Sequence, residues 1–187
     1  MRNHKDISVR SFTGKVLMAQ CFPPLEKIKN LRVPLEVGES FLLDFLLNNL
    51  DDTYEIYVQP FLNGDRPDIV IVRKNSGVLI IEVKDWHLFN YKNANGGLSE
   101  WRLIENDAII RSPLAQVEKY KTNLYELHIK NLFENNVKDK RNFSIVQTAV
   151  YFHNEQTKKA EDFCVGHNYT NILGYDSLNK HTLNILL

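Results

Sequence analysis

Three ionisable residues, Asp68, Glu82 and Lys84, interrupt two short runs that are otherwise apolar: Ile69-Val70-Ile71-Val72 and Val78-Leu79-Ile80-Ile81. Runs this short and this rich in Val and Ile, bounded by Pro67 on one side and Asn75-Ser76-Gly77 on the other, predict two buried strands joined by a five-residue turn, Arg73 to Gly77. With that turn Val72 faces Val78, and counting back two residues at a time sets Asp68 opposite Glu82. Directly opposed residues of an antiparallel pair carry their Cβ atoms about 4.5–5.5 Å apart on one face, so the two carboxylates converge. Lys84 shares the parity of Glu82 and brings an ammonium to the same face. Like charges so close repel unless a proton or a divalent cation lies between them. The set therefore suits a hard cation such as magnesium with a lysine beside it. Taken singly, each residue has a plainer use: Asp68 as a turn residue after proline, Glu82 and Lys84 as an ion pair at a strand end.

The elements that must position this hairpin can be read on either side of it. Upstream, Leu42, Leu43, Leu46, Leu47 and Leu50 recur at helical spacing with Phe41 and Phe45 beside them, which predicts a helix from Gly38-Glu39 to Leu50. Glu39 lies on its apolar face. A first-turn glutamate ordinarily serves the helix dipole, but its side of the helix makes it a candidate for the site. Asp51-Asp52 ends the helix, Tyr54 to Pro60 alternates as a strand with Ile56 and Val58 on one face, and Asn63-Gly64-Asp65 turns the chain into the hairpin. A helix followed by three strands suggests a meander with the helix packed across it.

Between about residues 85 and 113, Trp86, His87, Phe89, Tyr91 and Trp101 are interleaved with Lys92, Arg102 and Arg111, and Asn95-Gly96-Gly97 marks a tight turn. Two or three short strands forming a projecting flap are expected. Its aromatic and basic side chains could stack on bases and meet phosphates, or could form the flap's own small core, the simpler use for Trp86 and Trp101. His87 could act as an acid or base or be structural. Pro113 opens a second helix running to about Phe133, with Val117, Leu124, Leu127 and Leu132 as its apolar stripe. Gln116 and Tyr120, four apart, share one of its faces near the start, with Lys119 and Lys121 alongside. They could hold a phosphate, a water or the lysine, or simply lie at the helix surface. Phe143 to Phe152 reads as a strand returning to the sheet; Glu155 to Asp162 is polar, Asn171 to Tyr175 is a short apolar segment, and Ser177 to Leu187 has helical spacing.

Length and composition set bounds. A chain of 187 residues with 43% hydrophobic and 25% charged residues suits one globular domain. Lys plus Arg equals Asp plus Glu at 23 each, so contact with nucleic acid must come from a local patch and not from a global positive field. Cys21 and Cys164 stand too far apart for a zinc motif or a disulfide framework and read as free thiols. Met1 to Arg10 lacks the apolar segment of a signal peptide, and a cytoplasmic location is expected. The apolar ending Ile185-Leu186-Leu187, without a helix stop, suggests that the chain continues into something longer.

The order helix, three strands, flap, helix, strand, together with Pro67-Asp68, Glu82-Val83-Lys84 and Gln116-x-x-x-Tyr120, resembles the PD-(D/E)xK nuclease superfamily. Within it, Gly38-Glu39, Asp68 to Val72, Glu82-Val83-Lys84-Asp85-Trp86, Trp101 and Pro113-Leu114-x-Gln116 resemble the nuclease-related domain, NERD; Ser112 stands where that family commonly has Asn. The resemblance implies an α/β, restriction-endonuclease-like αβββαβ core over 36–152, with a mixed central sheet flanked by helices and a β flap. Residues 1–35 would be an extension packed on that core and 153–187 a second one. It further implies a magnesium- or manganese-dependent nuclease acting on DNA, with Asp68, Glu82 and the Val83 carbonyl as metal ligands, Lys84 as the catalytic lysine, and Glu39 and Gln116 as auxiliary site residues; Tyr120, Lys119, Trp86 and Lys92, by their own types and places, are the candidates for substrate contact. Domains similar to this are often fused to superfamily 1 helicase modules, so a role in DNA processing or defence against foreign DNA is implied, with a homodimer compatible with cutting two strands. The rival expectation is a nucleic-acid-binding or protein-docking module that keeps the constellation without the activity.

Overall fold

A computed structural model describes residues 18–62, 64–93, 99–128, 144–164, 169–179 and 182. Its centre is a six-stranded mixed sheet in the order β1-β2-β3-β4-β8-β9. The strands are β1 (Gln20–Phe22), β2 (Tyr54–Val58), β3 (Ile69–Arg73), β4 (Gly77–Lys84), β8 (Val146–Phe152) and β9 (Thr170–Gly174). β2, β3 and β4 form the expected antiparallel meander, while β1 lies parallel to β2, and β8 and β9 parallel to β4. β1 and β9, from residues outside 36–152, thus complete the two edges of the sheet.

The β3–β4 ladder has the register read from the sequence: Val72 opposite Val78, Val70 opposite Ile80, Ile69 opposite Ile81. The turn is tighter than expected, because Arg73 and Gly77 still pair and only Lys74-Asn75-Ser76 connect them. Asn75 makes this possible with a φ of 62°, a left-handed conformation that its short polar side chain tolerates better than most.

Parity sorts the side chains of the hairpin between two layers. Ile69, Ile71, Leu79, Ile81 and Val83 meet Leu42, Leu43, Leu46 and Leu47 of α2 (Val37–Asn49) in one core. Val70, Ile80 and Val146 meet Tyr120 of α3 (Pro113–Asn123), together with Leu124 and Tyr125, in another. Each leucine of α2 is worth about 1.5–3 kcal/mol on burial. That is enough for the helix to carry a buried carboxylate at its first turn and still dock. A short helix α1 (Leu25–Ile28) follows Pro23-Pro24, in a stretch without periodic apolar spacing.

β5 (Tyr91–Lys92), β6 (Glu100–Leu103) and β7 (Ile109–Arg111) form the second, antiparallel sheet. It does not project with a core of its own. Trp101 is fully buried and lies 6.3 Å from Phe152 of β8 at an interplanar angle of 11°, in a core shared with Leu88, Leu114, Val117 and Ala160. The indole is too large to be covered by three short strands alone, and α3 and β8 cover it.

Ser112 caps α3 by accepting a hydrogen bond from the Ala115 N–H at 3.1 Å, the work an asparagine does equally well at this position. After Asn123 the helix loosens into a π turn over Leu124–His128. The polar stretch 155–162 contains a helix, α4 (Thr157–Phe163), and the apolar segment 171–175 lies in and just beyond β9. Asn63, the turn Asn95-Gly96-Gly97, the expected helix end with Leu132 and Phe133, Phe143 and most of the segment 177–187 lie outside the described residues. Cys21 and Cys164 are free thiols.

Candidate active site

β3 begins only at Ile69, opposite Ile81, while β4 runs on to Lys84, so Val83 has no strand partner on the β3 side. Asp68 fills that gap. Its Oδ2 accepts the Val83 N–H at 2.7 Å, and its carbonyl accepts the Gln59 N–H at 2.8 Å. Extended backbone presents a residue's N–H and C=O on the same side, so the Val83 carbonyl faces the Asp68 side too. Parity puts Glu82 and Lys84 on the α3 face, and Asp68, just ahead of β3, turns its carboxylate to the end of β4. Glu82 is 1% exposed; its Oε1 pairs with Lys84 Nζ at 2.5 Å and its Oε2 has no hydrogen-bond partner.

Glu39 joins this group from the opposite layer. α2 starts so close to the end of β4 that both carboxylate oxygens of Asp85 accept the Gly38 N–H at 3.0 Å. A Cβ on Gly38 would stand 2.8 Å from His153 Cβ, 3.0 Å from Val83 Cγ1, and nearer still to Asp85 Oδ1. Only glycine allows this approach. It brings the buried Glu39 carboxylate to Asp68, with the Glu36 N–H donating to Glu39 Oε2 at 2.8 Å.

Gln59, held at a φ of 46°, points its amide at Glu39 Oε2 (3.3 Å) and accepts from Arg66 through Oε1. Glu36, Glu39, Gln59, Arg66 and Asp68, with Val33 and Pro34, line a pocket of about 180 Å³. From α3, Gln116 Nε2 donates to the Tyr120 hydroxyl at 2.7 Å, and that hydroxyl reaches the Arg66 carbonyl at 3.4 Å.

The electrostatics follow from burial and crowding. Burial, with Asp68 as neighbour, pushes the Glu39 carboxyl up to about 7. Burial and then the charge of Glu82 push Asp68 up to about 6. Glu82 is raised as well, chiefly by burial, against the pull of Lys84. Tyr120 is pushed up to about 12 by burial and by Glu82, so it remains a hydroxyl donor.

Among the described residues, no group of three or more His, Cys, Asp and Glu side chains is spaced to hold a metal ion. The fit to a divalent cation therefore rests on two carboxylates and the Val83 carbonyl. It is supported by the unpartnered buried oxygen of Glu82, which is costly to leave without a partner, and by acids that resist giving up their protons in one another's presence. Two or three protein oxygens are what magnesium uses when it keeps water and takes a phosphate oxygen as its remaining ligands.

The other residues expected here are placed as follows. Lys119 pairs with buried Asp65, Nζ to Oδ1 at 2.5 Å. Trp86 stacks on Tyr91 with centroids 4.6 Å apart, and Lys84 Nζ stands 5.3 Å from its ring. Lys92 is an exposed residue of the small sheet, opposite Arg102. His87 is exposed and stacked on Phe89.

Sequence reasoning missed Asp65, Gln59, Arg66 and the role of Asp85. From the sequence Asp65 is no more than the last residue of the turn Asn63-Gly64-Asp65. In the structure it accepts from Lys119 and Asn123 and so ties the loop carrying Asp68 to α3. The available signal was slight: an acid two residues ahead of Pro67, and a glutamine at the end of β2.

No curated protein and no solved structure matches the chain significantly, whereas the family model of the nuclease-related domain matches residues 35–153. That span begins beside α2, ends at the residue after β8, and contains every element that carries the carboxylates and the lysine. The chain belongs to the nuclease-related domain (NERD) family.

Proposed function

We propose that the protein is a metal-dependent nuclease that hydrolyses DNA phosphodiester bonds at the open end of β3 and β4. The observation that carries this reading is the convergence of Asp68, Glu82 and Lys84 at the end of β4, with a buried oxygen of Glu82 left without a partner. Asp68, Glu82 and the Val83 carbonyl would hold magnesium or manganese. When bound, such an ion neutralises charge on the scissile phosphate and acidifies a water molecule.

Lys84, aimed by Glu82 Oε1, holds the attacking water or the phosphate oxygen that gains charge in the transition state. Glu39 keeps a proton near neutrality and shares it with Asp68, so it can hold or pass on a proton beside the reacting centre. Gln116 fixes the Tyr120 hydroxyl, and together they steady the Arg66-Pro67-Asp68 loop from the α3 side. By the habit of the family, the setting is DNA processing or defence against foreign DNA within a helicase-linked protein.

Supercoiled and linear DNA incubated with Mg²⁺ or Mn²⁺ tests the site. The unaltered protein cuts; Asp68→Ala and Lys84→Ala do not, while melting as cooperatively as the parent. Equal cutting by all three would sink the assignment. That no group of three or more His, Cys, Asp and Glu side chains among the described residues is spaced for a metal ion supports a second reading, a binding module. DNA binding without cutting in either metal would select it.

A further inference from the structure

The chain leaves β4 after Lys84 through Asp85-Trp86-His87 into a single turn of 3₁₀ helix, Leu88–Asn90. Leu88 is 1% exposed and its N–H donates to Glu155 Oε1 at 2.7 Å, which pins the turn at its centre. The residues on either side of it turn outward. The rings of His87 and Phe89 stack with centroids 5.4 Å apart and an interplanar angle of 25°, and Phe89 is 66% exposed. The other oxygen of Glu155 holds Lys159 Nζ at 2.6 Å and sets that ammonium 6.0 Å from the Phe89 centroid.

An exposed phenylalanine alone needs no explanation. What calls for one here is the combination of two stacked rings in solvent, a cation held over one of them, and a single buried carboxylate that fixes both the turn and the cation. Its place in the chain adds to this. His87 is three residues beyond Lys84, so their Cα atoms are at most about 11 Å apart.

We propose that the His87–Phe89 pair is a stacking platform for an unpaired base of a single-stranded nucleic acid, with Lys159 meeting the adjoining phosphate. The inference rests on the nuclease reading for its ligand class, but not on any metal. Flat aromatic surface beside a fixed cation is the sequence-tolerant chemistry by which proteins hold single strands. A base already paired and stacked inside a duplex cannot present its face to these rings. The platform would therefore favour a strand that is single near the cut, whether an end, a flap or a gap.

Fluorescence anisotropy with a labelled oligothymidylate, run in a chelator so that no cutting occurs, tests this on the full chain. The double variant His87→Ala/Phe89→Ala should weaken binding at least about five-fold. Phe89→Trp should bind as well as the parent, and an abasic oligonucleotide should bind parent and double variant alike. Lys159→Gln should weaken oligothymidylate and abasic strand equally. Thermal melting confirms that loss of these exposed rings leaves the fold intact. Failure of the parent to bind the oligothymidylate, equal binding by the double variant, or an equal loss on the abasic strand would each overturn the platform. Metal-dependent cutting lost in Asp68→Ala would still uphold the nuclease reading in any of those cases. Conversely, ring-dependent binding by a protein that never cuts would uphold the platform alone.

Discussion

Glu39→Gln should make the metal-free protein more stable at pH 8 and stabilise it only about a quarter as much at pH 5. Glu39 is 6% exposed, lies beside Asp68, and holds its proton up to about pH 7 against an ordinary value of 4.5. A carboxyl whose folded-state pKa is raised contributes stability that is complete below about pH 4.5 and is lost as the pH rises through 7. Holding the proton from the ordinary 4.5 up to about 7, at about 1.36 kcal/mol for each step of one in pH, sets a ceiling of roughly 3.4 kcal/mol.

The pocket beside Glu39 admits solvent, and about 2 kcal/mol is the realistic share. In a domain of this size that corresponds to a rise in Tm of about 4–8 °C. Glutamine keeps the acceptor for the Glu36 N–H, so the helix start is preserved. The assay is thermal and urea unfolding of both proteins in a chelator at pH 5, 6.5 and 8. Equal stability at pH 8, or a gain of the same size at pH 5, would refute the reasoning.

Three further outcomes follow from the packing. Gly38→Ala should destabilise by at least about 2 kcal/mol, because the added methyl meets His153, Val83 and the Asp85 carboxylate at once; urea unfolding measures it, and a neutral result would mean that α2 can back away from β4. Asp65→Ala should cost about 2–3 kcal/mol and speed amide exchange at Arg66 and Asp68, since Lys119 and Asn123 lose the acceptor that ties this loop to α3. Cys164, whose thiol burial pushes up to about 12, should stay silent to a thiol-directed disulfide reagent at pH 8 until the protein unfolds; rapid reaction in the native state would contradict its burial.

Much of the centre of this protein was legible because the relevant information is local. Strand parity, two Val- and Ile-rich runs and a short turn are enough to set the register, and the ladder has it as far as its last pair, Ile69 opposite Ile81; beyond that pair Asp68 meets the Val83 N–H through its side chain. The helix of five leucines was equally plain, as was Pro113 as the start of α3. The turn is two residues shorter than the sequence suggests, since nothing in Arg73 or Gly77 says whether they still pair.

What the sequence could not show is contact between elements. Glu39 reaches the site only because Gly38 lets α2 press on Asp85, 47 residues away. The Asp65–Lys119 pair spans 54 residues, and each partner alone looks like an ordinary surface charge. Trp101, expected to stay within a projecting flap, instead docks that sheet on β8. Local spacing dictates which groups share a face, because backbone geometry is periodic. Which faces meet is decided by the packing of whole layers, and here that packing buries and crowds the acids, which makes each of them harder to ionise, and leaves Glu82 with an oxygen that lacks a partner.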